Sequence, residues 1–107
     1  MFDKVKERGG IVQFHGLWCA YCWSLKNAVT KLEKRYGLYI ERREVWLNPR
    51  NILAMRSLSD LYGDYNMGFY TVPSFYDPSP GRPRDERLLI NPGSYDMLES
   101  WCLEGRR

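Results

Sequence analysis

The chain reads as an α/β domain: a mixed four-stranded sheet in the order β-α-β-α-β-β-α, with helices on both faces. Three observations predict it. Ile11-Val12-Gln13-Phe14 is β-branched and mostly apolar, as in a buried strand. Behind it, Cys22, Leu25, Val29, Leu32 and Tyr36 recur at three- and four-residue steps, one apolar face of a helix. Further on, two short apolar runs flank Asp77-Pro78-Ser79-Pro80-Gly81-Arg82-Pro83, a turn in every residue, which predicts a hairpin.

Each element has its own signals. Residues 3–8 predict a short helical turn capped by Asp3 and stopped by Gly9-Gly10. The first strand follows, and then the helix that Cys22 opens. Lys26, Lys31, Glu33 and Lys34 lie off its apolar face, Trp23 covers a neighbouring surface, and Gly37 is its stop. Residues 38–47 hold a second strand whose charged middle predicts either an edge position or one inward charge. Asn48-Pro49 starts a second helix, Asn as cap and Pro at the first helical position. Ile52, Met55, Leu58 and Tyr62 form its apolar face, and Gly63 ends it. A polar and aromatic loop over 64–70 leads to a third strand, Thr71-Val72-Pro73-Ser74-Phe75-Tyr76. Arg87-Leu88-Leu89-Ile90 returns antiparallel, and Asn91-Pro92-Gly93 breaks it. Ser94 caps a last helix carrying Leu98, Trp101 and Cys102, with Gly105 closing it. The first strand pair is joined through a helix and is therefore expected to be parallel, with a right-handed crossover.

Composition narrows the function classes. With 107 residues the chain is one domain, long enough to bury about 65% of its unfolded surface. Four Trp and eight Tyr give large buried area and leave aromatics for a binding groove. The net charge of +3 is weak and its cations are scattered among acids, so no nucleic-acid partner is expected. Nothing approaches the roughly 20 apolar residues of a membrane helix. The charged first eight residues lack the apolar core of a signal peptide, so a cytoplasmic protein without a membrane partner is expected.

Chemistry concentrates in Phe14-His15-Gly16-Leu17-Trp18-Cys19-Ala20-Tyr21-Cys22. A strand ends, a tight turn follows, and a Cys-x-x-Cys pair opens a helix. A cysteine at a helix N-terminus meets unpaired N–H groups and the helix dipole, which favour its thiolate. The thiolate is the form that attacks disulfides. Cys22, three residues on, is placed to close the ring and release product. Zinc is the competing use of such a pair, but a structural site takes four ligands. Three cysteines and one histidine, without partner spacing, do not make one, and no metal is expected. His15, four residues before Cys19, either acts as an imidazolium that lowers the thiol pKa or simply packs. Cys102 is expected to be a buried free thiol.

Three marks carry a resemblance to the thioredoxin superfamily: Trp18-Cys19-Ala20-Tyr21-Cys22, Val72-Pro73, and the turn Asp77–Gly81 with Gly93 ahead of the last helix. It covers roughly residues 11–104 and implies a thioredoxin-like fold. It also implies a thiol–disulfide oxidoreductase in which Cys19 attacks and Cys22 resolves. Pro73 would be cis beside the pair, and the backbone of Val72 could take a substrate peptide as an added strand. Trp18, Ala20 and Tyr21 would shape the active site. No cofactor is implied. The partners are a protein disulfide or dithiol and an external electron donor such as a thioredoxin reductase or glutathione, and the reductive direction is expected. The chain departs from the family in carrying Gln13 where a buried acid usually lies, six residues before the nucleophile. Glu44, on the adjacent strand, either substitutes for that acid or is a solvated charge. Tyr21 before Cys22 also resembles glutaredoxins, which implies a glutathione-dependent alternative. A non-catalytic binding module is the third reading.

Overall fold

The computed structural model describes residues 2–62 and 72–104. Its elements are α1 (Asp3–Glu7), β1 (Ile11–His15), α2 (Ala20–Tyr36), β2 (Ile40–Glu44), α3 (Pro49–Tyr62), β3 (Ser74–Tyr76), a 3-10 turn (Arg84–Glu86), β4 (Leu88–Ile90) and α4 (Tyr95–Glu104). The expected helix stop at Gly63, the loop 64–70, the strand start at Thr71 and the closing Gly105 lie outside the described residues. Among the described residues, no helix is long and apolar enough to cross a membrane.

The four strands form one mixed open sheet in the order β2-β1-β3-β4. β1 runs parallel to β2 and antiparallel to β3, and β3 pairs antiparallel with β4. The charged strand β2 is therefore at an edge, which removes the difficulty of Arg42 and Arg43 in a strand.

Strand alternation divides the core between the two faces. Val12 and Phe14 meet Ala54, Met55 and Leu58 of α3, with Phe2, Val5 and Tyr76. Ile11, Ile40 and Phe75 meet Leu25, Val29 and Leu32 of α2 and Leu98, Trp101 and Cys102 of α4. Gln13 and His15 are in phase with Ile11. Arg42 and Glu44 are in phase with Ile40 and sit beside Gln13 and His15 in the ladder. The α2 face of the sheet thus turns from apolar to polar toward the C-terminal end of β1.

Local signals place the ends. Gly37 caps α2 in the left-handed conformation, with φ of 61°, where a glycine carries no side-chain strain. Ser94 Oγ accepts the N–H of Met97 at 3.2 Å, an N-cap on α4. Other expectations are corrected. Phe2 is the residue before α1, and Asp3 begins the helix rather than capping it. Asn48 does stand before Pro49 as expected, its carbonyl accepting the N–H of Asn51 at 3.0 Å, while its side-chain amide donates to Glu44 at 3.0 Å. β3 begins at Ser74 because Pro73, with no N–H, cannot join the ladder. Arg84–Glu86 folds as a 3-10 turn, which delays β4 to Leu88.

Candidate functional site

The site is built where β1 gives way to α2. After His15 the chain turns at Gly16, and Cys19 N–H donates to Gly16 O at 3.1 Å. Cys19 is the N-cap of α2: its backbone is extended and its Sγ accepts the N–H of Cys22 at 3.1 Å. The sulfur takes the role that a Ser or Asp oxygen plays at other helix starts. Cys19 is partly exposed, whereas Cys22 is buried at 6%. Both are free thiols and approach to 2.6 Å. Cys102 forms no disulfide and is buried among α2 and α4 residues.

The two thiols are unequal. Burial pushes the Cys22 thiol up to about 12, and its hydrogen bond with Cys19 adds to the shift. Gln13 shares a pocket with Cys22; it is 3% exposed, and its Oε1 has no hydrogen-bond partner. Burial likewise pushes the His15 imidazole below its ordinary value, against the attraction of Glu44 and with the repulsion of Arg42. The ring is therefore neutral near pH 7, which favours packing over the imidazolium among the two roles expected for it. Gln13, His15, Gly16, Leu17, Cys22, Trp23, Lys26 and Arg42 line a pocket of about 170 Å³.

Glu44 is neither a solvated charge nor an acid left unpaired for Cys22. Its carboxylate accepts the N–H of Leu17 at 2.7 Å, of Trp46 at 3.0 Å and of Leu47 at 2.7 Å, besides the Asn48 amide. Burial alone would raise its pKa, but these four bonds overcome that and hold it below the usual range. One carboxylate so ties the turn before Cys19 to the loop between β2 and α3. Trp18 and Trp46 then stand 6.2 Å apart between ring centroids. Trp18, Leu17 and Leu47 remain exposed, an apolar rim beside the cysteine turn.

Gly16 makes this closeness feasible. A methyl group there would overlap the indole of Trp46. Gly16→Ala is expected to cost about 1–3 kcal/mol as an overpacked contact, read as a lower urea midpoint with an unchanged slope. Displacement of Trp46 should change the tryptophan fluorescence of the folded protein as well.

The remaining expected site residues are distributed as follows. Tyr21 donates its hydroxyl to the carbonyl of Pro92, so it pins α2 to the loop before α4. Ala20 is exposed. The Val72–Pro73 peptide bond is cis. Because Ser74 pairs with Phe14, Pro73 follows at the His15 end of β1, the end from which the cysteine turn departs. Pro73 O accepts the N–H of Asn91 at 2.8 Å, and Val72 is half-buried. Trp23 donates Nε1–H to Leu17 O at 2.9 Å and covers the cysteine turn from outside.

Among the described residues, no three His, Cys, Asp or Glu side chains stand together as a metal site. Sequence reasoning missed Trp46, Lys26 and Arg42 as site residues. The strand alternation that places Arg42 beside Gln13 was the one usable signal. No family model and no curated protein matches the chain.

Proposed function

We propose that the protein is a thiol–disulfide oxidoreductase of the thioredoxin superfamily. Cys19 attacks a protein disulfide and forms a mixed disulfide, and Cys22 displaces the reduced product. The observation that carries this reading is the asymmetry of the pair. Cys19 is accessible at a helix N-cap with an N–H aimed at its sulfur, and Cys22 is buried behind it with its proton held. A cis peptide bond at Val72–Pro73 and the four-stranded mixed sheet agree with the superfamily's fold. The exposed rim of Leu17, Trp18 and Leu47 suits apolar side chains next to a substrate cysteine. The implied partners are a protein disulfide and an electron donor such as thioredoxin reductase or glutathione, in a cytoplasmic setting.

The reductive direction is part of this proposal. A pair becomes strongly oxidising when its reduced form is stabilised. A neutral His15 brings no imidazolium to stabilise a Cys19 thiolate, which supports the reductive reading. Equilibration with glutathione, followed by mass-tagging of free thiols, should give a Cys19–Cys22 potential near the thioredoxin value of about −270 mV. A potential near −120 mV would reverse the direction, a difference of about 7 kcal/mol for two electrons. A pair that closes at no ratio would remove the redox reading and leave a binding module.

A further inference from the structure

The resolving step requires a proton acceptor that the cysteine pair does not contain, and this inference rests on the oxidoreductase reading above. Cys22 must reach Cys19 as a thiolate, yet it is buried with its proton held. Gln13 lines the same pocket as Cys22, and an amide can position a proton's path but cannot keep the proton. His15 lines it too, and the pocket's 170 Å³ has room for several waters at about 30 Å³ each. The orphaned Oε1 of Gln13 shows that this wall is polar and unsatisfied by protein groups.

We propose that His15 is the proton acceptor of the resolving step, receiving the Cys22 proton through water held in this pocket. The groups around the imidazole leave it that role. From β2, Glu44 is occupied by four donors and is a weaker base than an ordinary carboxylate. Arg42, also from β2, and Lys26, from α2, line the pocket with cationic side chains, and Arg42 is ion-paired with Glu33 of α2. From β1, Gln13 supplies only an amide. His15 itself is neutral near pH 7 because burial disfavours its cation.

The step balances. A proton leaves Cys22 Sγ for a pocket water, which passes one to a ring nitrogen of His15. The freed lone pair on Cys22 Sγ forms the Cys19–Cys22 bond. The bond from Cys19 to the substrate sulfur breaks, and its electron pair leaves with that sulfur as a thiolate. The imidazolium then returns its proton to the leaving thiolate. Two electrons pass from the dithiol to the substrate, and no other reductant takes part.

The test uses the chromogenic aromatic disulfide dithiobis-nitrobenzoate, with reduced protein in excess. Attack by Cys19 releases one coloured thiolate and resolution by Cys22 releases the second, so the two steps are separate phases. In the native protein the second phase should level off above a bend below the ordinary histidine value of about 6.5. In His15→Gln the bend should vanish, and the rate should climb about tenfold per pH unit with the thiolate fraction of Cys22. At neutral pH the second phase should be about a hundredfold slower, with the first phase within about twofold. Adding Gln13→Glu to His15→Gln should restore a bend. A His15→Gln variant that keeps the native second phase, or keeps a bend at any pH, overturns the proposal. Absence of the first phase in the native protein overturns the oxidoreductase reading instead.

Discussion

Cys22→Ser is expected to stop turnover after a single attack and leave the substrate covalently joined to Cys19. The two thiols have different work because the fold gives them different surroundings. Cys19 is reached from solvent at the end of a turn, beside the exposed Trp18. Cys22 is 6% exposed, and in the proposed reaction its target is the Cys19 sulfur beside it, once that sulfur is joined to the substrate. Its attack is intramolecular, and effective molarities for such steps reach about 10⁵ M or more. An external thiol at millimolar concentration cannot match that, so turnover on a protein disulfide should fall at least about a hundredfold. The first attack should be unchanged, because Ser keeps the backbone N–H that donates to Cys19 Sγ. Mass spectrometry of the trapped adduct and single-turnover kinetics check both halves. Cys19→Ser should instead reduce exchange to the uncatalysed level. If Cys22→Ser still turns over glutathione mixed disulfides at the native rate, the glutaredoxin-like alternative holds. If the double Cys→Ser protein keeps its affinity for a partner, the site is a binding module.

Sequence and fold agree where information is local and differ where it is long-range. The three-four spacing of Cys22, Leu25, Val29 and Leu32 did mark the buried face of α2. Tyr36, next in that series, is 39% exposed. It sits at the helix end and donates its hydroxyl to Glu99 of α4 at 2.9 Å, a contact with no sequence signal. The charges of β2 left an edge position as one of two readings, and the antiparallel pairing of β1 with β3 was not legible at all. A three-residue strand such as Ser74–Tyr76 is too short for alternation to carry orientation. Within the site, the cysteine motif, the exposed Trp18 and the proline were legible because each is a short motif. The role of Glu44 was not, because one of its donors, the Leu17 N–H, lies 27 positions away along the chain. Tyr21 between the cysteines read as a groove residue, and its bond to Pro92 spans 71 positions. Burial of His15 and the pocket beside Cys22 are likewise products of packing, which no spacing rule reports.

Asp77→Ala is expected to destabilise the fold by about 3–5 kcal/mol, the usual cost of leaving one member of a buried ion pair without its partner. The segment Asp77–Pro83 reads as a turn in every residue, and the Asp77 and Arg82 side chains within it are 0% and 1% exposed. Arg82 Nη1 donates to Asp77 Oδ2 at 3.1 Å and to Trp101 O at 2.6 Å, and Nε donates to Glu86 O at 2.6 Å. The guanidinium also lies 4.2 Å from the Trp101 ring. Asp77 Oδ1 accepts the N–H of Ser79 at 3.0 Å and so shapes the turn as well. These bonds tie the hairpin to α4, and they lie apart from the cysteines. Loss of the carboxylate leaves a buried cation on carbonyls and a π face, with Nη2 facing the Glu104 carboxylate at 3.9 Å, beyond hydrogen-bond reach. A domain of this size holds about 5–15 kcal/mol in all, so the variant should be marginal at 37 °C, and its urea midpoint should drop with little change in slope. Adding Arg82→Leu should cost less than the sum of the two single changes, because it removes the stranded charge. A single-variant loss under about 1 kcal/mol would mean that the carbonyls and Trp101 satisfy Arg82 alone. The native protein's attack phase should survive in the folded fraction of Asp77→Ala, which separates the frame that carries the site from the chemistry within it.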